Sequence, residues 1–155
     1  QWTGDYLSVG ATSIRASVKH LGGPALNLRV GFEFQVGFLR TRFVSTDAIP
    51  VAVGADWATI EFPIGEADLT RTAGTESFQT VMSGNGELRI VSATTASHLG
   101  AIINATLGID DIDLFEVNEA VGDLIEIYAY KLVTIRTCVS VSRRFDRYMH
   151  IYWLK

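Results

Sequence analysis

Cysteine, proline and long apolar runs are all scarce in this chain, and each scarcity excludes something. One cysteine among 155 residues leaves no partner for an internal disulfide. Cys138 stands in a run rich in valine and threonine, where an inert buried thiol is expected rather than a reactive one. Three prolines against 14 glycines suit a protein of many short strands and turns. No run of about eighteen apolar residues occurs, so no transmembrane segment is expected. No signal peptide is visible and the first residue is Gln1, not Met, so processing or trimming of the N-terminus is expected. Internal repeats and low-complexity stretches are also missing.

Signatures of catalysis are missing as well. His20, His98 and His150 are too dispersed for metal-ligand spacing and are expected as surface histidines. Serines abound, yet none lies in a G-x-S-x-G elbow. Gly22-Gly23 and Gly84-Asn85-Gly86 lack the strand-to-helix context of phosphate loops and read as turns. A non-enzyme is the expectation, because no nucleophile–base pair or metal set stands out.

What the chain does have is alternation. Hydrophobic residues make up 48% and charged residues 19%, enough for one domain with a sizeable core. Residues 56–115 organise the rest. Trp57, Thr59, Glu61 and Pro63 alternate with Ala58, Ile60, Phe62 and Ile64, which predicts a strand with one buried face, ended by Pro63. Leu88 to Ala93 predicts a second strand and Ala105 to Phe115 a third. Asp110, Asp111 and Asp113 are unusual inside a strand and need solvent or a cation to reward them. Upstream, Thr3-Gly4-Asp5 predicts a turn followed by a short apolar strand to Gly10. Ile14 to His20 predicts a strand, and Leu26 to Val36 and Phe38 to Val44 two more joined near Gly37, with a short one at Val51-Ala52-Val53. Residues 66–71 could begin a helical turn. Residues 75–82 are the best helix candidate, with Thr75 as cap and Phe78, Val81 and Met82 on one face.

Charge divides the chain. Residues 1–127 hold seven of the 13 basic and 16 of the 17 acidic side chains, leaving six basic and one acidic in residues 128–155. A positive tail on a negative body favours docking onto that body, in the same chain or a neighbour's. Residues 123–141 read as strand-rich after a polar connector at 117–122, and the end is basic and aromatic, SRRFDRYMHIYWLK.

The segments "WTGDY…VGATSIRASVKHLGGPALNLRVGF", "DWATIEFPIGEADLT", "GELRIVSA" and "ATLGIDDIDL" together resemble a jelly-roll domain of secreted bacterial proteins. That domain often occurs with a PEP-CTERM type sorting signal and is akin to laminin-B-like and carbohydrate-binding β-sandwiches. The resemblance covers about residues 2–115. It implies an all-β fold: an antiparallel, galactose-binding-like sandwich with at most one or two short helices, extracellular and non-catalytic. Two departures stand out. The family has one or two strands before the position of Trp2, and it ends soon after the acidic strand, where this chain continues. The expected organisation is a sandwich over residues 1–116 and an extension over 117–155 that packs on its own or a neighbouring sandwich.

The resemblance implies that Asp110, in the "IDD" of related sandwiches, can ligate a structural Ca²⁺. That ion takes 6–8 oxygens, so loop carbonyls or Glu116 would have to help. The competing reading is a solvated acidic edge that discourages aggregation. Trp2, Trp57 and Trp153 invite a sugar-stacking reading. Trp57 is expected in the core, as the family keeps an aromatic there, while Trp2 beside its turn is the candidate for exposure. Arg143, Arg144, Arg147 and Lys155 interleave with Phe145, Tyr148, Tyr152 and Trp153. That pattern is used for nucleic acid, but an acidic body repels phosphate. The alternation also suits a strand better than a helix lying on a membrane. Intramolecular or intersubunit docking is the expectation. Two functions follow: an extracellular module binding glycan or another surface ligand, or a homo-oligomeric structural subunit assembled by strand exchange through the extension.

Overall fold

A computed structural model describes residues 2–116, 126–127, 140–141 and 149–152. The chain is an all-β sandwich of two antiparallel sheets with one short helix. In the first sheet β1 (Ala11–Gly22) lies between β5 (Ala58–Pro63) and β8 (Thr106–Glu116). In the second, β2 (Leu26–Val36) is the spine. Along one edge of β2 run β3 (Leu39–Ser45) and β4 (Ile49–Val51) end to end, and along the other runs β7 (Glu87–Ser92). Outside β3 lies β6 (Leu69–Ala73).

The alternation in the sequence sets the two faces of each sheet, since side chains one residue apart point oppositely along a strand. Ile14, Ala16 and Val18 of β1 face Leu28, Val30 and Phe32 of β2 across the core, with Phe62, Leu88, Ile90, Leu107 and Ile109 beside them. The β2–β3 hairpin pairs Val36 with Leu39 and leaves Gly37 and Phe38 as its two-residue loop. Gly37 has φ 59°, the positive value that a II′ turn demands at its first central position.

Helix α1 (Phe78–Ser83) closes one end of the sandwich with Phe78, Val81 and Met82. Its cap is Ser77, not Thr75: the Ser77 hydroxyl accepts the Thr80 amide, leaving a shorter helix than the expected 75–82. The expected strand before Gly10 is instead a turn. The Asp5 carboxylate accepts the amides of Leu7 and Ser8, an Asx-type arrangement that curls the chain. Tyr6 is thereby swung into the core, edge-on to Phe32 with centroids 5.3 Å apart. Residues 66–68 form the expected helical turn, of 3-10 type.

Strand β8 explains its own aspartates. Arg15 pairs with Asp113 and Ser17 with Asp110, so two residues of β8 oppose Ala16 alone. That bulge places Asp111 at φ 46°, in the left-handed region that aspartate tolerates better than most residues.

Of the extension, three short strands are described: β9 (Glu126–Ile127), β10 (Ser140–Val141) and β11 (Met149–Tyr152). The backbones of β9 and β11 pair with β8 of the same chain, and β10 pairs with β11.

Candidate functional site

The outer face of the first sheet carries hydrogen-bonding groups and an aromatic platform. Pairing in register aligns Glu61, Arg15 and Asp113 in one row across β5, β1 and β8, and Thr59, Ser17 and Asp110 in the next. Glu61 accepts the Ser13 hydroxyl at 2.7 Å and the Arg15 Nε at 2.8 Å. The Ser13 bond, aided by Arg15, holds its carboxyl below the usual range. The Arg15 guanidinium also lies 3.3 Å from the Phe115 ring centroid, a cation–π contact.

One row further on, Lys19 pairs in register with Gly108, and its ammonium meets Asp56 Oδ1 at 2.8 Å. That same oxygen accepts the Trp57 amide at 2.9 Å, fixing the backbone where the indole departs. Trp57 is 37% exposed, so the expected core position is corrected. The parity of β5 is the reason. Phe62 and Ile64 are buried, which puts Trp57, Thr59 and Glu61 on the opposite face. The indole lies across Gly108 so closely that a Cβ there would stand 3.0 Å from Trp57 Cη2, with a Leu21 methyl 3.6 Å away. Glycine in a strand often marks such an approach.

Asp110 is exposed, and its Oδ1 accepts the Asp111 amide across the bulge. Among the described residues no group of three or more His, Cys, Asp and Glu side chains could hold a metal ion. Those residues therefore do not bring to Asp110 the carboxylates that a Ca²⁺ site of 6–8 oxygens draws on.

The outer face of the second sheet is different in kind. Arg29 and Glu33 point outward from β2, as does Arg89 from β7, yet all three are buried. Residues 93–98 lie over this face, with the Ala93 and Thr94 carbonyls on Arg29 and the His98 ring over Gly31. Arg29, 5% exposed, donates to four backbone carbonyls, those of Ser45, Thr46, Ala93 and Thr94, at 2.6–3.0 Å. It ties the end of β3 to the start of the crossing segment. Glu33 is held by Arg42 at 2.6 Å and Arg40 at 3.3 Å, while Glu87 receives Arg89 through two bonds at 2.8 and 3.0 Å.

His98 sits over this face, 2% exposed, not on the surface as expected. Its ring lies over Gly31, where a Cβ would stand 2.8 Å from His98 Cδ2. Among the described residues neither ring nitrogen has a hydrogen-bond partner, and Nδ1 is 4.0 Å from Glu33 Oε2. Burial, reinforced by the positive charges of Arg89 and Arg42, pushes its pKa down from 6.5 to about 4. His20 is buried too, but it is committed to the backbone. Its Nδ1 accepts the Gly54 amide and its Nε2 lies 2.9 Å from the Pro24 carbonyl, so Nε2 carries the proton.

Trp2 is half-buried against the core, and its carbonyl accepts from Tyr6 and Asn85. Cys138, Trp153, Arg143, Arg144, Arg147, Lys155, Phe145 and Tyr148 lie outside the described residues. His150 is placed by its backbone, opposite Gly108. No family model, curated protein or solved structure matches the chain.

Proposed function

We propose that the chain is a non-catalytic extracellular module of jelly-roll type that binds carbohydrate on the outer face of the β5–β1–β8 sheet. The observation that carries this reading is Trp57, an indole exposed on a rigid sheet and flanked by groups that hydrogen-bond. A pyranose offers an apolar C–H face and a rim of hydroxyls. The indole suits the first, and Lys19, Asp56, Thr59 and Ser17 suit the second. Sites built from an apolar surface and a few well-placed polar groups on regular elements are the usual form of small-ligand recognition. The resemblance to secreted carbohydrate-binding sandwiches supports the same reading. The commitment of both His20 nitrogens to backbone supports a role without catalysis.

A glycan array probed with the full chain tests it, followed by fluorescence titration of any glycan retained. Trp57→Ala is expected to weaken binding by about tenfold or more, roughly 1.4 kcal/mol, with the circular dichroism spectrum and Tm preserved. An array without hits, or Trp57→Ala binding as well as the parent, would contradict the reading.

The alternative of assembly by strand exchange bears on the extension. Pairing of Met149 and His150 with Ile109 and Gly108 of the same chain supports an extension that completes its own sheet. A monomer on size-exclusion chromatography is the outcome for that arrangement; a dimer or filament is the outcome for exchange.

A further inference from the structure

The segment over the second sheet has an uneven composition. Residues 93–105 read ATTASHLGAIINA, and His98 is their one ionisable side chain. Hydrogen bonds to the sandwich lie at the two ends of the segment. Near the start, Arg29 holds the Ala93 and Thr94 carbonyls, and the Ala93 amide donates to Asn27 O. Towards the end, the Ala101 amide donates to Ser92 O at 2.7 Å. Between them His98 is the one fully buried residue, its ring lodged in the space that Gly31 leaves open.

We propose that residues 95–100 form an acid-released strap, held shut by the uncharged His98 ring and opened when that ring takes up a proton. The groups facing the ring make a charged form unwelcome. From β2 come Glu33 and, further along, Arg29; from β3, Arg40 and Arg42; from β7, Glu87 and Arg89. The strap itself contributes none. Both carboxylates are already engaged, Glu33 by two arginines and Glu87 by Arg89, so neither can turn to an imidazolium without surrendering a guanidinium. The nearest carboxylate oxygen is 4.0 Å from Nδ1, beyond hydrogen-bond range. A protonated ring would therefore bury two unpaired N–H donors and a charge among arginines, whereas in water it meets neither penalty. The depressed pKa of His98 is the same imbalance seen from the proton's side. Lifting the strap uncovers Glu33, Arg42 and Arg89 to solvent.

Hydrogen exchange read by mass spectrometry, corrected for intrinsic rates, at about pH 7.5 and about pH 4.5 tests this on the full chain. Peptides spanning 95–100 are expected to lose protection by roughly tenfold or more in acid while those of β1 and β2 keep theirs. His98→Gln, uncharged at both values, is expected to remove the difference, and His20→Gln to retain it. Equal protection at both values, or the same acid response in His98→Gln, overturns the proposal. If His98→Gln does not fold, the ring resonances of His98 in the parent decide. Titration coincident with loss of strap protection supports the strap; titration without change in exchange refutes it.

Discussion

The two sheets of this sandwich present charged residues outward in the same alternating pattern, and their outer faces end up in opposite states. On the first sheet, Arg15, Lys19 and Glu61 stay in reach of solvent and frame an exposed indole. On the second, Arg29, Glu33 and Arg89 lie on the face crossed by residues 93–98 and are buried as deeply as a core. Each face has one ring laid over one strand glycine: Trp57 over Gly108, His98 over Gly31. A sheet's outer side is thus not defined by its own strands. It is defined by what the chain does after leaving them, and here an uncharged crossing segment turns one polar face into an interior.

The sharpest break between the faces should come at Arg29. Removing its guanidinium leaves the carbonyls of Ser45, Thr46, Ala93 and Thr94 without their donor, so Arg29→Met should lower stability by about 3 kcal/mol in denaturant unfolding. Arg29→Lys should recover little of it, because one ammonium cannot span four acceptors. Arg15→Met, on the open face, should cost well under 1 kcal/mol.

Acid should separate the faces by pH window. His98 has a folded pKa depressed from 6.5 to about 4. The unfolded chain takes the proton first, so stability is full above 6.5, falls as the pH drops, and levels off near 4. The loss is at most about 3 kcal/mol, at 1.36 kcal/mol per unit. Glu61 is also depressed, from 4.5, by Ser13 and Arg15. Its contribution is present above 4.5 and is lost only below it. Unfolding of the parent and of His98→Gln across this range should therefore diverge between pH 6.5 and 4. Parallel curves would place the pH response elsewhere.

Much of the fold was legible because strand alternation and glycine turns are local signals. Ile14, Ala16 and Val18 and the break at Gly37 lie where their patterns put them, while the helix overlaps the expected 75–82 but starts only at Phe78. The buried charged face was not legible, since Arg29, Glu33 and Arg89 alternate with apolar residues as any solvated face would. Two weaker signals pointed to it: Gly31 in mid-strand and a long connector with a single ionisable residue. Trp57 was misplaced by trusting the resemblance, which keeps an aromatic there in the core, over parity with Thr59 and Glu61. The bulge at Asp111 was not legible either, because it depends on the pairing of β8 with β1, which no local pattern carries.

The smallest expected effect is at Asp110. With its carboxylate exposed and bonded to the Asp111 amide, Asp110→Ala and chelator should each leave Tm nearly unchanged. A chelator-induced fall in Tm that Asp110→Ala abolishes would support the calcium reading.

The contrast between a roofed and an open face is tested most directly by adding one methyl group to each. Gly31→Ala drives a Cβ to 2.8 Å from a ring that is 2% exposed, and Gly108→Ala drives one to 3.0 Å from a ring that is 37% exposed. Measured side by side in denaturant unfolding, Gly31→Ala should cost about 1–3 kcal/mol, as overpacking does in an interior, and Gly108→Ala less than about 1 kcal/mol. Equal costs, or a larger one at Gly108, would contradict the account.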